Sequence, residues 1–544
     1  MKDGALPKII PTRTIRRPER TNHPAVFDFR EETVGDVRFR LEAREKTRVI
    51  VRYGEYLEEL DADMDKELHY YKFPKDVFDL EKGSHDLQSK GRRAFRFIRV
   101  EGPDVEVMDI SAEHRHYPVE DRGHFCCPDN LLNQIHQVSK NTVKLCMQDF
   151  YEDGIKRDGL LWVGDARVEA YCNYYAFGDK ELARRSIGMF AATQKEDGSI
   201  PACAGSAGGH VHPHMIDYMP NVVQDVQDWI LYNYCTDFVS MLWEYLLYTG
   251  DVKTARDQYI AADRIMQFLG GKVFRGEINR EAIITDEDIH RRDHWWPSEG
   301  TFMMQFLAAL KDINRLAKIL GQDNWDKWIR QTETMIRKKF YCQEKGVYTD
   351  ISGKCDAVSH HANSFSVLAD LPGRKNELNR ARNLEEAYYP MAGFMKFWVI
   401  KAMMEQGDME EGLQDTRDYF GLMLRHGATT FWEKLDLKHP DIVLNNPLVS
   451  RCHGWSGGPA ALFPEYILGV RPMEPGFKRV RIAPDLGGLP WAEGSVPTPM
   501  GDIHVRLQDT ERTKGEIILP EGMEGFLVRP GRKCLAIQGK HIID

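Results

Sequence analysis

Phe177-Gly178-Asp179 closes one helical stretch of the chain and opens the next, and the same sign returns at Thr249-Gly250-Asp251, Leu320-Gly321-Gln322-Asp323 and Gln406-Gly407-Asp408. Glycine suits the left-handed position just past a helix C-terminus, and aspartate can cap the helix that follows. Recurrence at about 70 to 85 residues predicts repeated helical hairpins. The pattern begins at Asp129, an N-cap candidate, after which Leu131, Ile135, Val138 and Leu145 recur at helical spacing; it dominates to about Leu468. About 340 residues of paired helices far exceed a four-helix bundle and predict an (α/α)6 toroid over 121–468, with a straight solenoid as the competing arrangement. The toroid is preferred because the most ligand-like loops, near positions 160, 295, 433 and 455, need a shared centre to act together.

The period changes on both sides of this block. Val37, Phe39 and Leu41 alternate with Arg38, Arg40 and Glu42, and Val105 and Val107 flank Glu106, which predicts a β-sandwich over 26–120 with one wet face. After Gly469-Val470-Arg471-Pro472, Ile503, Val505 and Leu507 alternate with His504, Arg506 and Gln508, which predicts a second sandwich over 469–544. Residues 1–25, with the basic cluster from Arg13 to Arg20, read as a solvated N-terminal arm. A chain of 544 residues is ample for these domains.

Composition narrows the partners. With 42% hydrophobic and 29% charged residues the chain reads as globular, and a net charge of −10 argues against nucleic acid. No apolar run is long enough to span a bilayer and no secretory core follows Met1, so a cytoplasmic protein without a membrane partner is expected, or a periplasmic one if a signal has been removed. The ten cysteines are scattered without metal-ligand spacing or a disulfide framework and read as free, mostly buried thiols. His210, His212 and His214 lack an acid at ligand spacing and read as a pocket-rim loop, so no metal and no cofactor are expected. Walker and dinucleotide signatures are absent, which removes phosphate chemistry.

The loop Asp153-Gly154-Ile155-Lys156-Arg157-Asp158-Gly159-Leu160-Leu161-Trp162-Val163-Gly164-Asp165 crowds three carboxylates, two cations and a tryptophan between glycines. Far along the chain, Ala428-Thr429-Thr430-Phe431-Trp432-Glu433-Lys434 sets another acid at the end of an apolar run, where a dry pocket is expected. Glycosidic cleavage uses two carboxyls, one donating a proton to the leaving oxygen and one activating water or attacking carbon. The loops holding Asp293, Trp295 and Trp296, and His453 and Trp455, offer hydrogen-bond partners and ring faces for a sugar. Salt-bridge clusters and core tryptophans are the competing structural readings.

The Asp153 to Asp165 loop, Gly427-Ala428-Thr429-Thr430-Phe431-Trp432-Glu433 and the Cys452-His453-Gly454-Trp455-Ser456 turn, joined by Pro475-Gly476-Phe477-Lys478-Arg479-Val480-Arg481-Ile482-Ala483-Pro484, together resemble the bacterial α-L-rhamnosidases of glycoside hydrolase family 78, in the family's order. The resemblance implies a six-hairpin (α/α)6 toroid flanked by β-sandwiches, and cofactor-free, inverting release of terminal α-L-rhamnose from rhamnose-containing oligosaccharides. It assigns Asp158 as general acid and Glu433 as base, with Asp153, Arg157 and Asp165 on the sugar hydroxyls; Trp162, His212, Asp293, Trp295, Trp296, Trp432, His453 and Trp455 are the further substrate contacts. The family normally carries Glu where this chain has Asp158, and the lost methylene retracts the carboxyl by about 1 Å, comparable to misplacements that cost ~100-fold in rate. Inversion needs roughly 6.5–9.5 Å between the two carboxyls. The chain is compact beside many members, which favours short oligosaccharides. Two alternatives stay open: a lyase or dehydratase for rhamnose- or uronate-containing oligosaccharides using His453 or a histidine from 210 to 214, and a sugar-binding protein without turnover.

Overall fold

The computed structural model describes residues 9–23, 25–61, 75–156, 159–204, 229–283, 298–371, 376–387, 391–447, 449–509, 514–529 and 531–543. The helical block starts where the period changed. Asp129 Oδ1 accepts from the N–H groups of Leu131 (2.9 Å) and Leu132 (3.3 Å), satisfying donors that a first turn leaves open, and α1 runs Asn130–Cys146. It is followed by α2 (Val163–Ala176), α3 (Glu181–Ala192), α4 (Tyr232–Thr249), α5 (Val252–Arg275), α6 (Glu299–Leu320), α7 (Asp326–Phe340), α8 (His360–Leu368), α9 (Glu377–Arg382), α10 (Gly393–Gln406) and α11 (Met409–Arg425).

The glycine signs are helix ends. Gly250, Gly321 and Gly407 stand at the C-termini of α4, α6 and α10 with φ of 72°, 72° and 98°. Gly250 also meets Gly476 of the C-terminal domain, whose Cα would lie 3.0 Å from a Cβ there, so a side chain is excluded twice over. The aspartates are less uniform: Asp251 caps α5 through the Thr254 N–H at 3.1 Å, whereas Asp408 makes no side-chain cap.

Burial sorts the helices into two rings. In α2 every residue but Arg167 is buried, while α7 buries only Thr332, Ile336 and Phe340, the stripe expected of an outer helix. The inner ring passes from α2 to α4, α6, α8 and α10, then through the turns Gly454–Gly457 and Pro459–Leu462 back to α2. The described residues therefore close a toroid and not an open solenoid.

The N-terminal domain is one eight-stranded sheet, with β1 (Thr12–Arg16), β8 (Val105–His116), β3 (Val26–Ala43), β7 (Arg93–Glu101), β4 (Thr47–Gly54) and β5 (Lys75–Leu80) in that order, and β2 (Glu19–Arg20) and β6 (Gly83–Gln88) both on β3. Its core of Phe27, Val37, Phe39, Leu41, Val49, Val51, Phe95 and Ile98 is separate from that of the toroid. The segment read as a solvated arm is corrected here: Thr12–Arg16 pairs antiparallel with β8, while Arg13 and Arg17 turn outward onto Glu113 and Asp109. Charged side chains suit an edge strand as well as a free tail, which is why composition did not separate them.

The C-terminal domain has two sheets, β10 (Val470–Pro472), β11 (Arg479–Ile482), β15 (Glu524–Leu527) and β16 (Leu535–Ile537) in one, and β17 (Lys540–Ile543), β14 (Lys514–Ile518), β13 (Ile503–Gln508), β12 (Trp491–Val496) and β9 (His124–Cys126) in the other. Strand β9 precedes α1 yet pairs with β12, Ser495 opposite His124. Val480, Ile482, Val505 and Leu507 belong to the same apolar cluster as the toroid helices.

Cys342 and Cys355 form a disulfide, correcting the reading of all ten cysteines as free; of the other eight, Cys126 and Cys534 are exposed and six are buried. A spacing of 13 residues without companions gave no framework to read. Thiol titration of the unreduced, denatured protein is expected to find eight thiols. Replacing both partners by Ala should lower the unfolding free energy by about 3 kcal/mol, the figure for a loop of this size, as read by urea denaturation.

Candidate active site

The inner helices bring their N-terminal ends to one mouth. Trp162 stands at the start of α2, Tyr234 in the first turn of α4, Phe394 in the first turn of α10 and Trp455 in the closing turn. Their rings follow one another, Trp162 to Tyr234 (6.4 Å) and Tyr234 to Phe394 (6.3 Å) edge to face and Phe394 to Trp455 (5.6 Å) tilted. Gly164 makes this approach possible, since a Cβ there would lie 2.6 Å from the Tyr234 ring. Helix N-termini carry partial positive charge, so the mouth suits carboxylates.

Three distant segments are stitched together beside this wall. Asp153 N–H donates to Leu160 O (3.1 Å) and Leu160 N–H to Asp153 Oδ1 (2.9 Å), closing the acidic loop on itself. Gly454 N–H donates to Asp153 O (2.7 Å), and His453 N–H to Phe431 O (3.0 Å). Glu433 is pinned on both backbone atoms, with its N–H on Ser450 O (3.0 Å) and its carbonyl accepting from Gly393 N–H (3.0 Å) and the Trp455 indole (2.8 Å).

The Glu433 carboxyl is fully buried; Ser450 N–H donates to its Oε2 at 3.0 Å, and Lys434 Nζ lies 3.5 Å from Oε1. Both contacts suit a carboxylate anion. Asp165, in the first turn of α2, meets His453 Nε2 at 3.2 Å, and the His453 ring lies 4.3 Å from that of Trp455. Asp153, Asp165, Glu433, His453 and Trp455 thus form one connected group, with Trp162 on its aromatic rim.

Trp432 goes elsewhere. It is buried like Phe394 and Trp455 of the rim, but with the Arg451 guanidinium 4.2 Å from its ring. Neighbours along an extended segment point opposite ways, and Glu433 takes the side of the mouth. Arg157, Asp158, His212, Asp293, Trp295 and Trp296 lie outside the described residues. Among the described residues no group of His, Cys, Asp and Glu is arranged to hold a metal, and no helix is long and apolar enough to cross a membrane.

Sequence reading missed Glu169. It lies one helical turn after Asp165 on α2, fully buried, with neither carboxyl oxygen hydrogen-bonded among the described residues. Gly454 leaves the room it fills: a Cβ there would sit 2.3 Å from its Cδ. Burial above all, then the charges of Asp165, Asp153 and Glu152, push its pKa well above the ordinary range. The i to i+4 spacing from Asp165 was the available signal.

The chain matches the bacterial alpha-L-rhamnosidase 6 hairpin glycosidase domain over residues 120–467 and the C-terminal domain of the same enzymes over 469–543. It belongs to the bacterial α-L-rhamnosidase family. An α-L-rhamnosidase of Alteromonas sp. (strain LOR) is 23% identical over 518 residues, covering 88% of this chain and 53% of that protein. The GH78 family rhamnosidase of Bacillus sp. GL1 superposes with a TM-score of 0.78 at 24% identity, over 93% of this chain and 53% of that one. A rhamnosidase from Klebsiella oxytoca with rhamnose bound gives 0.70 at 21% identity, over 84% and 96%. The chain spans about half the length of the curated relatives it matches.

Glu169 sets a pH dependence. Its proton is kept in the fold but lost from the unfolded chain above the ordinary value of 4.5, so stability present below that pH falls as pH rises towards the raised folded value. Glu169→Gln removes this slope. Its thermal midpoint relative to the parent protein should therefore climb between pH 5 and pH 8; a difference constant across that range would mean that Glu169 is ionised in the fold.

Proposed function

We propose that this protein hydrolyses terminal α-L-rhamnosidic bonds in oligosaccharides or glycosides with inversion, Asp158 protonating the leaving oxygen and Glu433 activating water. The observation that carries the reading is Glu433. Its carboxylate is dry, anchored by the Ser450 N–H and stitched by backbone hydrogen bonds beside the acidic loop, at the mouth of a toroid whose family is that of the α-L-rhamnosidases. A carboxylate so fixed can orient one water without reorganising during the reaction. In this reading Asp153, Arg157 and Asp165 take the sugar hydroxyls, Asp165 steadied by His453, and the rim from Trp162 to Trp455 faces the ring's C–H groups.

Hydrolysis is favoured over elimination because the toroid matches the glycosidase domain of the α-L-rhamnosidases. A bound rhamnose in the Klebsiella oxytoca relative supports the choice of sugar. The Cys342–Cys355 disulfide favours an oxidising compartment over the cytoplasm read from the sequence.

The test uses an aryl α-L-rhamnoside and rhamnosyl-uronate oligosaccharides, with products followed by mass and by NMR from the first minutes. Free rhamnose of inverted anomeric configuration, gaining the mass of water, is expected. Glu433→Gln should lower kcat by about 100- to 10,000-fold, the range for a lost general base. A product with a new double bond, or full turnover by this variant, overturns the reading.

A further inference from the structure

The loop after β4 reaches out of the N-terminal domain into the wall of the toroid. Gly54 turns the chain tightly, and Glu55 and Glu59 enter fully buried; the Glu55 N–H donates to Glu59 Oε2 at 2.7 Å, so the pair is locked as one unit. Lys156 Nζ meets Glu55 Oε2 at 2.7 Å and Glu59 Oε1 at 2.6 Å, with its side chain only 2% exposed. The same Glu55 Oε2 accepts the Arg451 N–H at 2.8 Å, across 396 residues of chain.

These two partners belong to the two acid-bearing segments. Lys156 lies in the loop that begins at Asp153, and Arg451 follows Ser450, whose own N–H holds the Glu433 carboxylate. The Arg451 side chain adds a second grip, its guanidinium lying 4.6 Å from the Tyr56 ring and 4.2 Å from Trp432 while donating to Val443 O and Leu444 O at 2.9 and 3.0 Å.

We propose that Glu55 is a positioning residue for the reaction: one carboxylate oxygen, lent by the N-terminal β-domain, clamps the Asp153 loop and the Glu433 segment at a fixed separation. The argument is geometric. An inverting hydrolase depends on the distance between its two carboxyls, and a charge-assisted hydrogen bond in a dry site is strong and directional. A clamp between Lys156 and Arg451 holds the two carrier segments in register without touching the sugar. The second oxygen, Oε1, makes no hydrogen bond among the described residues, so Glu55 acts on both carriers through Oε2, with Glu59 as a second partner of Lys156. The inference rests on reading Glu433 as the base.

Glu55→Gln keeps the volume and removes the charge that both donors share. With an aryl α-L-rhamnoside it should lower kcat by about 10- to 100-fold, the effect of misplacing a reacting group by an ångström or less. KM should stay within about threefold, since no sugar contact is lost. Glu55→Asp should recover part of kcat, and Lys156→Met, which frees one side only, should fall between the parent and Glu55→Gln. Amide hydrogen exchange in folded Glu55→Gln should quicken at Arg451 and across residues 153–156, a readout independent of turnover. A folded Glu55→Gln protein with parental kcat, or with unchanged exchange at Arg451, overturns the clamp. Glu433→Gln is run beside it: if that variant keeps full turnover the assignment of the base has failed, whereas a dead Glu433→Gln beside a fully active Glu55→Gln fails the clamp alone.

Discussion

Closing six inner segments into a ring brings N-terminal ends to one mouth, and the carboxyls of the candidate site are arranged around that fact. Unpaired N–H groups and dipole ends make the mouth a place for anions. Glu152, Asp153, Asp165, Glu169 and Glu433 all gather there, a density of carboxyls that would repel itself if left alone. The chain resolves this three ways. Glu152 receives a bidentate pair from Arg92, both distances 2.8 Å; Asp165 and Glu433 sit on His453, Lys434 and backbone N–H; Glu169 keeps its proton.

The two flanking domains attach by different physics. The C-terminal domain shares an apolar cluster with the toroid and lends a sheet to its strand β9, so its contribution is stability. The N-terminal domain keeps its own core and reaches the toroid through a small apolar joint, Val34 and Ala94 on Leu145, Cys146, Ile155 and Cys452, and through buried ion pairs, Arg92 with Glu152 and Lys156 with Glu55 and Glu59. Buried ion pairs stabilise less than apolar contacts of equal size but fix geometry more sharply. A domain joined this way is suited to holding loops in register.

What could be read from sequence was what the chain encodes locally. Helix-ending glycines, the period shift at Asp129 and the alternation of Val37, Phe39 and Leu41 depend on neighbours within a few residues, and the toroid and its β-rich flanks followed from them. The acidic loop and the Glu433 segment announced themselves by crowding charge and tryptophan together. Contacts between distant residues left no periodic trace: Glu55 with Arg451, Cys342 with Cys355 and His124 with Ser495 are joined only by the finished fold. The contact of Trp432 with the Arg451 guanidinium left no sequence trace for the same reason, since the two lie nineteen residues apart.

The strand β9 places a constraint on how such a chain can be made. His124–Cys126 emerges early, four residues before α1, but its sheet neighbour Trp491–Val496 is translated more than three hundred residues later. The eight-stranded N-terminal sheet can assemble while synthesis continues, since all its strands lie upstream. The ring cannot be sealed in that way. Its seam waits for the closing turns Gly454–Gly457 and Pro459–Leu462, made more than three hundred residues after α1, and until then the mouth that gathers the carboxyls has no permanent outline.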